Sequence, residues 1–178
     1  IVAVVICQCP YQNWRHIESE GQFMSDSYLL NLWEKLNGLP AGKKLFSIGF
    51  ARKAPYFGTI KPLVKEVRPN YAEVFFKKRN AVHNHIQTVH VIAICNALEM
   101  AMGALAESTI PKHLRWIPRG MDVKYTAKAT SDITAVAETN PEDWKPGDLP
   151  VRVKAMRDDG TVVVEGTIML YVSEKPQK

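Results

Sequence analysis

One carboxylate stands alone in an oily stretch of this chain. From Thr88 to Ala106 the residues are mostly Val, Ile, Ala, Leu and Met, and Glu99 is the one acid among them. An isolated buried charge is costly, so a Glu in such surroundings needs a partner or a task. The plain alternative is a Glu99 that faces solvent or pairs with a nearby Lys. An amphipathic surface helix would carry several charges on that face, and this one does not, which marks Glu99 as a candidate functional group. Just ahead lies Asn84-His85-Ile86-Gln87-Thr88-Val89-His90-Val91, rich in amides and imidazoles. Taken singly these are capping residues, with Asn84 or Thr88 as the cap and His90 satisfied in the first turn. The spacing adds something. At about 100° and about 1.5 Å per helical residue, Val91 and Glu99 stand about 80° apart and about 12 Å along the axis, and His90 and Glu99 lie on opposite faces. One chain cannot bring both to one small reacting group. Two chains can, if their helices run antiparallel about a two-fold axis; the site is then composite and present twice.

A basic cluster, Lys112-His113-Leu114-Arg115-Trp116-Ile117-Pro118-Arg119, follows the oily stretch. Arg and Lys suit phosphate, and Trp116 suits an adenine face. The plainer account is a solvated loop around one buried Trp. Lys77-Lys78-Arg79 is a competing candidate. Cys7-x-Cys9 with His16 lacks the second ligand pair that a closed zinc site needs, so no metal and no cofactor are expected. Three cysteines without a spacing framework point to a reducing compartment, here cytoplasmic.

These groups must be positioned by a small set of elements. Ser25, Asp26 and Ser27 offer N-caps for a short helix marked by Leu29, Leu32, Trp33 and Leu36 and closed by Asn37-Gly38 and Pro40. Residues 41–55 are ambiguous. Strands are expected over Phe57–Val67 and Tyr71–Arg79 around an Arg68-Pro69-Asn70 turn. One helix, about Thr88 to Glu107, is apolar nearly all round and therefore buried. From Met121 alternation puts Met121, Val123, Tyr125, Ala127 and Ala129 on one face. Ile133–Glu138 is a short strand and Thr139–Pro150 a loop; Val151, Val153 and Ala155 then alternate with Arg152 and Lys154 in a further strand, and Asp158-Asp159-Gly160 is a hairpin turn before a long strand from Thr161 to Val172. Two strands, one buried helix and four strands make an α+β fold with an antiparallel sheet. The sheet must wrap the helix, and a second subunit must cover it where the sheet leaves it open.

The 178 residues fill one domain, with 46% hydrophobic and 23% charged residues, ordinary for a soluble globular protein. Disordered, collagen-like and low-complexity classes are excluded. No apolar run nears the ~20 residues of a membrane span. Ile1–Cys7 is too short for one and no complete signal peptide, and Met24 is a candidate alternative start. A net charge of +5 favours anionic partners without choosing among them.

Asn84-x-x-Gln87-x-x-His90-Val91-Ile92 followed by Glu99 resembles the Asn-x-x-Gly-x-x-His-Gly-Gly motif and helical acid of hotdog-fold acyl-CoA thioesterases of the phenylacetate-degradation type, closest to an uncharacterised subgroup. The resemblance covers about residues 56–172. It implies a hotdog domain over residues 56–178, with the helix as sausage and the sheet as bun, behind an N-terminal extension, residues 1–55, that holds the short helix. It implies a thioester hydrolase acting on acyl-CoA as a homodimer, or as a tetramer of such dimers, with no nucleic-acid or membrane partner. Val91 supplies the backbone N–H that polarises the thioester carbonyl. Asn84 is a donor or water-orienting group, Glu99 of the partner subunit the general base or nucleophile, and His90 shapes the loop. Gln87, Arg115, Trp116 and Arg119 make up the substrate-binding set. Gln87, Val91 and Ile92 replace motif glycines, and Gly103 offers no hydroxyl one turn after Glu99. Those losses leave open a non-catalytic acyl-CoA or acyl-carrier binding protein. Acyl-thioester hydratase or dehydratase chemistry, using His83, His85 or His90, is a further alternative. Nucleic-acid binding rests on charge alone.

Overall fold

The computed structural model describes residues 27–176. The expectations for Ile1–Cys7, Cys7, Cys9, His16, Met24, Ser25 and Asp26 lie outside the described residues. The leucines and Trp33 form α1 (Tyr28–Asn37), and its N-cap is Ser27, whose hydroxyl accepts the Leu30 N–H at 3.4 Å. The ambiguous stretch is a second helix, α2 (Gly42–Lys53). The corner between them is tight. A Cβ on Gly42 would stand 1.7 Å from the Leu36 carbonyl oxygen, so only glycine fits.

The remaining elements are β1 (Leu63–Arg68), β2 (Tyr71–Phe76), α3 (Val91–Thr109), β3 (Leu114–Tyr125), β4 (Ile133–Glu138), β5 (Gly147–Arg157) and β6 (Val162–Glu174). The strands form one antiparallel sheet in the order β1-β2-β4-β5-β6-β3. The order of two strands, helix and four strands is the expected α+β hotdog arrangement. The chain crosses from β2 to the far edge through α3, so α3 lies across the sheet, packed mainly on β2 and β4. Its Leu98, Met100, Met102 and Leu105 are at most 1% exposed, within a core that also takes Val74, Ile133, Val151 and Leu170. The helix hairpin shares that core through Leu30, Trp33 and Phe46. Ser47 fastens α2 to β1 by accepting the Val64 N–H at 2.8 Å and donating to the Lys43 carbonyl at 2.6 Å.

Several boundaries differ from expectation. Residues 55–60 are a 3-10 turn rather than the start of a strand, because Pro55 and Pro62 lack the N–H a ladder needs. β2 stops at Phe76, not Arg79. The long helix starts at Val91, three residues after Thr88, because Val89 is held extended by a bridge to His83. It ends beside Pro111, with Ile110 extended as a residue before proline prefers. The basic cluster is a strand, not a loop: Leu114 to Pro118 pair with β6, and a register shift precedes Gly120. That strand closes at Tyr125, short of Ala127 and Ala129. β5 takes up the end of the expected loop, Pro150 included. By length and composition α3 also meets the requirement for a membrane span, against the sequence reading; 67% of its apolar window is buried in the domain, as in a core helix.

Candidate functional site

The loop that delivers α3 is held in place almost wholly by its own hydrogen bonds. Asn84 Oδ1 accepts the N–H groups of Ile86 and Thr88, each at 3.1 Å, and its amide donates to Thr88 Oγ1 at 2.8 Å. The Asn84 N–H bonds the Thr88 carbonyl at 2.9 Å, and the Gln87 N–H bonds the Asn84 carbonyl at 3.1 Å. Gln87 bends the chain at φ 63°, the left-handed region that favours glycine. The side chain departs from the motif glycine, yet the backbone takes a conformation that glycine adopts readily. The Val89 N–H reaches the Ala129 carbonyl and the His90 N–H the Val82 carbonyl, at 2.9 and 2.8 Å, so the loop is anchored on both sides.

His90 is then the N-cap of α3, in place of Asn84 or Thr88. Its Nδ1 accepts the Ile92 N–H at 3.1 Å, and its carbonyl takes the Ala93 N–H. Val91 is the first helical residue. Among the described residues no group accepts its N–H, which points out of the positive end of the helix.

Glu99 is exposed in the single chain, not buried as its surroundings suggested. The sheet leaves one stripe of α3 uncovered, and Ile92, Glu99 and Glu107 are exposed along it, with Cys95 half-buried. Burial pushes the Cys95 thiol above its usual range, and the nearby Glu99 carboxylate adds to the rise. Gly103 continues the stripe under two aromatic side chains: a Cβ there would lie 3.9 Å from both Phe50 Cζ and Trp116.

The sheet divides the basic cluster, because neighbouring residues of a strand point to opposite faces. Trp116 turns toward α3, and its indole N–H bonds Glu107 Oε1 at 3.0 Å. Arg115 and Arg119 lie outside, bonded to Ser173 at 3.1 Å and Asp148 at 2.7 Å, with the Arg119 guanidinium over the Tyr171 ring. The structure thus brings Asn84, Gln87, His90 and Val91 together, leaves Glu99 farther along the helix, and separates Trp116 from the two arginines. In the competing cluster, Lys78 and Arg79 hold the Thr130 and Thr59 carbonyls.

A family model for a domain of unknown function, DUF4442, matches residues 42–172. The chain belongs to that family. One solved structure, a structural-genomics target, is 46% identical to this DUF4442 chain, covering 83% of it and 98% of its own length, with a TM-score of 0.73. A Pseudomonas aeruginosa protein of unknown function, described as a probable thioesterase, is 17% identical with coverages of 77% and 97% and a TM-score of 0.67. A thioesterase family protein from Silicibacter pomeroyi is 16% identical, with coverages of 72% and 99% and a TM-score of 0.59. No curated protein matches the chain. The DUF4442 domain therefore has the hotdog fold of thioesterase-family structures.

Sequence reasoning missed other features of this DUF4442 site. Asn96, 4% exposed, donates from α3 to the Tyr56 carbonyl at 3.0 Å and to Thr59 Oγ1 at 3.2 Å, tying the 3-10 turn to the helix. A polar residue inside an otherwise apolar run was the available signal. Both His83 ring nitrogens are buried without a partner among the described residues, while His85 is exposed. Chemically, the helix entry offers one free, rigidly placed N–H beside a positive dipole end, and α3 offers the exposed carboxylate of Glu99, while that of Glu107 is bonded to Trp116.

Proposed function

We propose that this DUF4442 chain is an acyl-CoA thioesterase that works as a homodimer. The observation that carries the reading is the unclaimed Val91 N–H at the entry of α3, held by the His90 cap and the Asn84 loop. A thioester carbonyl placed there gains a donor and the helix dipole as negative charge develops on its oxygen. Glu99 of the partner subunit draws a proton from water, which attacks the carbonyl, and the coenzyme A thiolate leaves. In a variant of the same scheme that carboxylate attacks directly, and water then cleaves the acyl-enzyme. His90 and Asn84 act as positioning residues.

The composite site is supported by β3. This strand of 12 residues lies at the sheet edge, paired on one side with β6. Long exposed edges invite pairing with another copy. Two β3 strands paired about a two-fold axis would bring the open stripes of two α3 helices face to face. The resemblance of the fold to thioesterase-family structures agrees with this chemistry.

A panel of acyl-CoA thioesters followed by thiol release tests the reading. Glu99→Ala is expected to lower kcat by about 10²-fold or more. A mutant that turns over like wild type removes Glu99 from the mechanism. The second reading, binding without cleavage, draws on Ile92, which is 51% exposed where the motif has glycine and crowds the helix entry. It predicts saturable acyl-CoA binding by calorimetry with no thiol released.

A further inference from the structure

The opposite end of α3 borders a groove of about 970 Å³, within the size range of small-molecule sites. Asn84, Val91 and Glu99 are not part of its lining, which comes from α1, α2, the end of α3 and the approach to β3. Phe46, Phe50 and Phe57 make one aromatic wall, with successive ring centres 6.3 Å apart and planes inclined by 16° and 10°. Three of the polar side chains around the groove are already engaged. Ser27 Oγ donates to the Glu107 carbonyl at 2.6 Å, Thr109 Oγ1 donates to the Leu105 carbonyl at 2.7 Å, and the Glu107 carboxylate takes the Trp116 indole N–H. Such walls offer little to the amides of a peptide and much to an alkyl chain. Three exposed lysines line the same groove: Lys53 at the end of α2, Lys112 before β3, and Lys175 after β6, which also donates to the Lys112 carbonyl at 2.7 Å.

A second observation comes from Gly49, which lines the groove from inside α2. Glycine within a helix costs about 1 kcal/mol relative to alanine. Its backbone is not in the left-handed region, and nothing lies within 4 Å of the place a Cβ would take. Neither conformation nor packing calls for glycine here. What its missing side chain leaves is room in the groove.

We propose that the groove binds a single-chain fatty acid, with the alkyl chain against the aromatic wall and the carboxylate on Lys53 and Lys175. Burial of the chain supplies the affinity, and the two cations select the head group. The claim stands apart from thioester hydrolysis, since it uses none of the groups assigned to that reaction.

The test uses the full chain and displacement of a fluorescent fatty acid by laurate, by dodecyltrimethylammonium of the same chain length, and by butyrate. Laurate is expected to displace the probe saturably, and the other two at least about tenfold more weakly. Gly49→Phe sets a ring on the groove side of α2, where a Cβ meets nothing within 4 Å, and is expected to weaken laurate by about tenfold or more without lowering Tm. Lys53→Glu with Lys175→Glu is expected to weaken laurate by about threefold or more and to narrow its advantage over dodecyltrimethylammonium. Absence of saturable displacement, or wild-type laurate affinity in Gly49→Phe, overturns the proposal. A Gly49→Phe chain that binds laurate normally but changes its oligomeric state assigns the groove to a second copy of the chain instead.

Discussion

At its N-terminus α3 emerges from a loop pinned by hydrogen bonds; at its C-terminus it is embedded in the side chains of α1 and α2. The entry is fixed by the Asn84 carboxamide, the His83–Val89 bridge, the His90 cap and a glutamine held at φ 63°. Directional bonds place a backbone N–H closely, and one such N–H is left over at Val91. The exit is lined by Phe46, Phe50 and Phe57, whose contacts are non-directional and tolerant of what lies against them. Geometry set by hydrogen bonds suits chemistry at one atom. An apolar wall suits binding of a chain whose length varies.

The strongest way to break this contrast is to remove that N–H. Val91 is the first residue of α3, a position where proline is well accepted, and His90 already has the extended backbone (ψ 133°) that a residue before proline prefers. Val91→Pro is expected to lower kcat for thioester hydrolysis by about 10²–10³-fold, the loss typical of one oxyanion donor, with little change in Tm. Undiminished turnover would mean that the entry of α3 does not hold the carbonyl. Mixing Val91→Pro with Glu99→Ala chains sharpens the point. If each site takes Val91 from one subunit and Glu99 from the other, random mixed dimers restore one intact site in half the dimers, about a quarter of wild-type activity. A site contained in one chain restores nothing.

Much of the frame was legible because periodicity reports on burial. Ile133–Glu138 is a strand at both predicted ends, a short apolar run whose Ile133, Ala135, Val136 and Ala137 are all buried. The Asp158-Asp159-Gly160 turn is where it was expected, with Gly160 at φ 80°. α2 was hidden because Gly42, Gly49 and its lysines blur the apolar spacing of a helix. The first half of β3 read as a loop because an edge strand is wet on several sides and tolerates Pro118. The site was legible in its residues but not in its exposure. In a helix apolar all round, composition does not say which stripe the sheet leaves open, so Glu99 looked buried. The groove was illegible for a related reason: it is made by elements far apart in sequence, and Gly49 there fills no role that a helix pattern reveals.

A smaller effect is expected at the bend of the pinned loop. A non-glycine residue in the left-handed region costs about 1–2 kcal/mol, of which glycine's greater freedom in the unfolded chain offsets a part. Gln87→Gly is therefore expected to raise stability by about 1 kcal/mol, or a Tm gain of roughly 2–4 °C in a chain of this size. Thermal denaturation measures it. A lower Tm would show that Gln87 is held there by contacts of its own side chain, and the picture of an entry shaped by backbone bonds would need revision.

The smallest effect tests whether Glu99 shares its open stripe with Cys95, one turn earlier. Burial is the main cause of the raised Cys95 pKa, and the Glu99 charge is a lesser one that acts in the same direction because it opposes a second negative charge. In Glu99→Gln the lesser cause disappears while burial stays. The thiol pKa moves down, the thiolate fraction at mildly alkaline pH rises, and alkylation by iodoacetamide at Cys95 speeds up modestly. Peptide mapping by mass spectrometry separates Cys95 from Cys7 and Cys9. An unchanged rate would place the carboxylate away from the thiol, on some other line of the helix. The stripe that links the pinned entry of α3 to its apolar exit would then keep Glu107 alone as its acid.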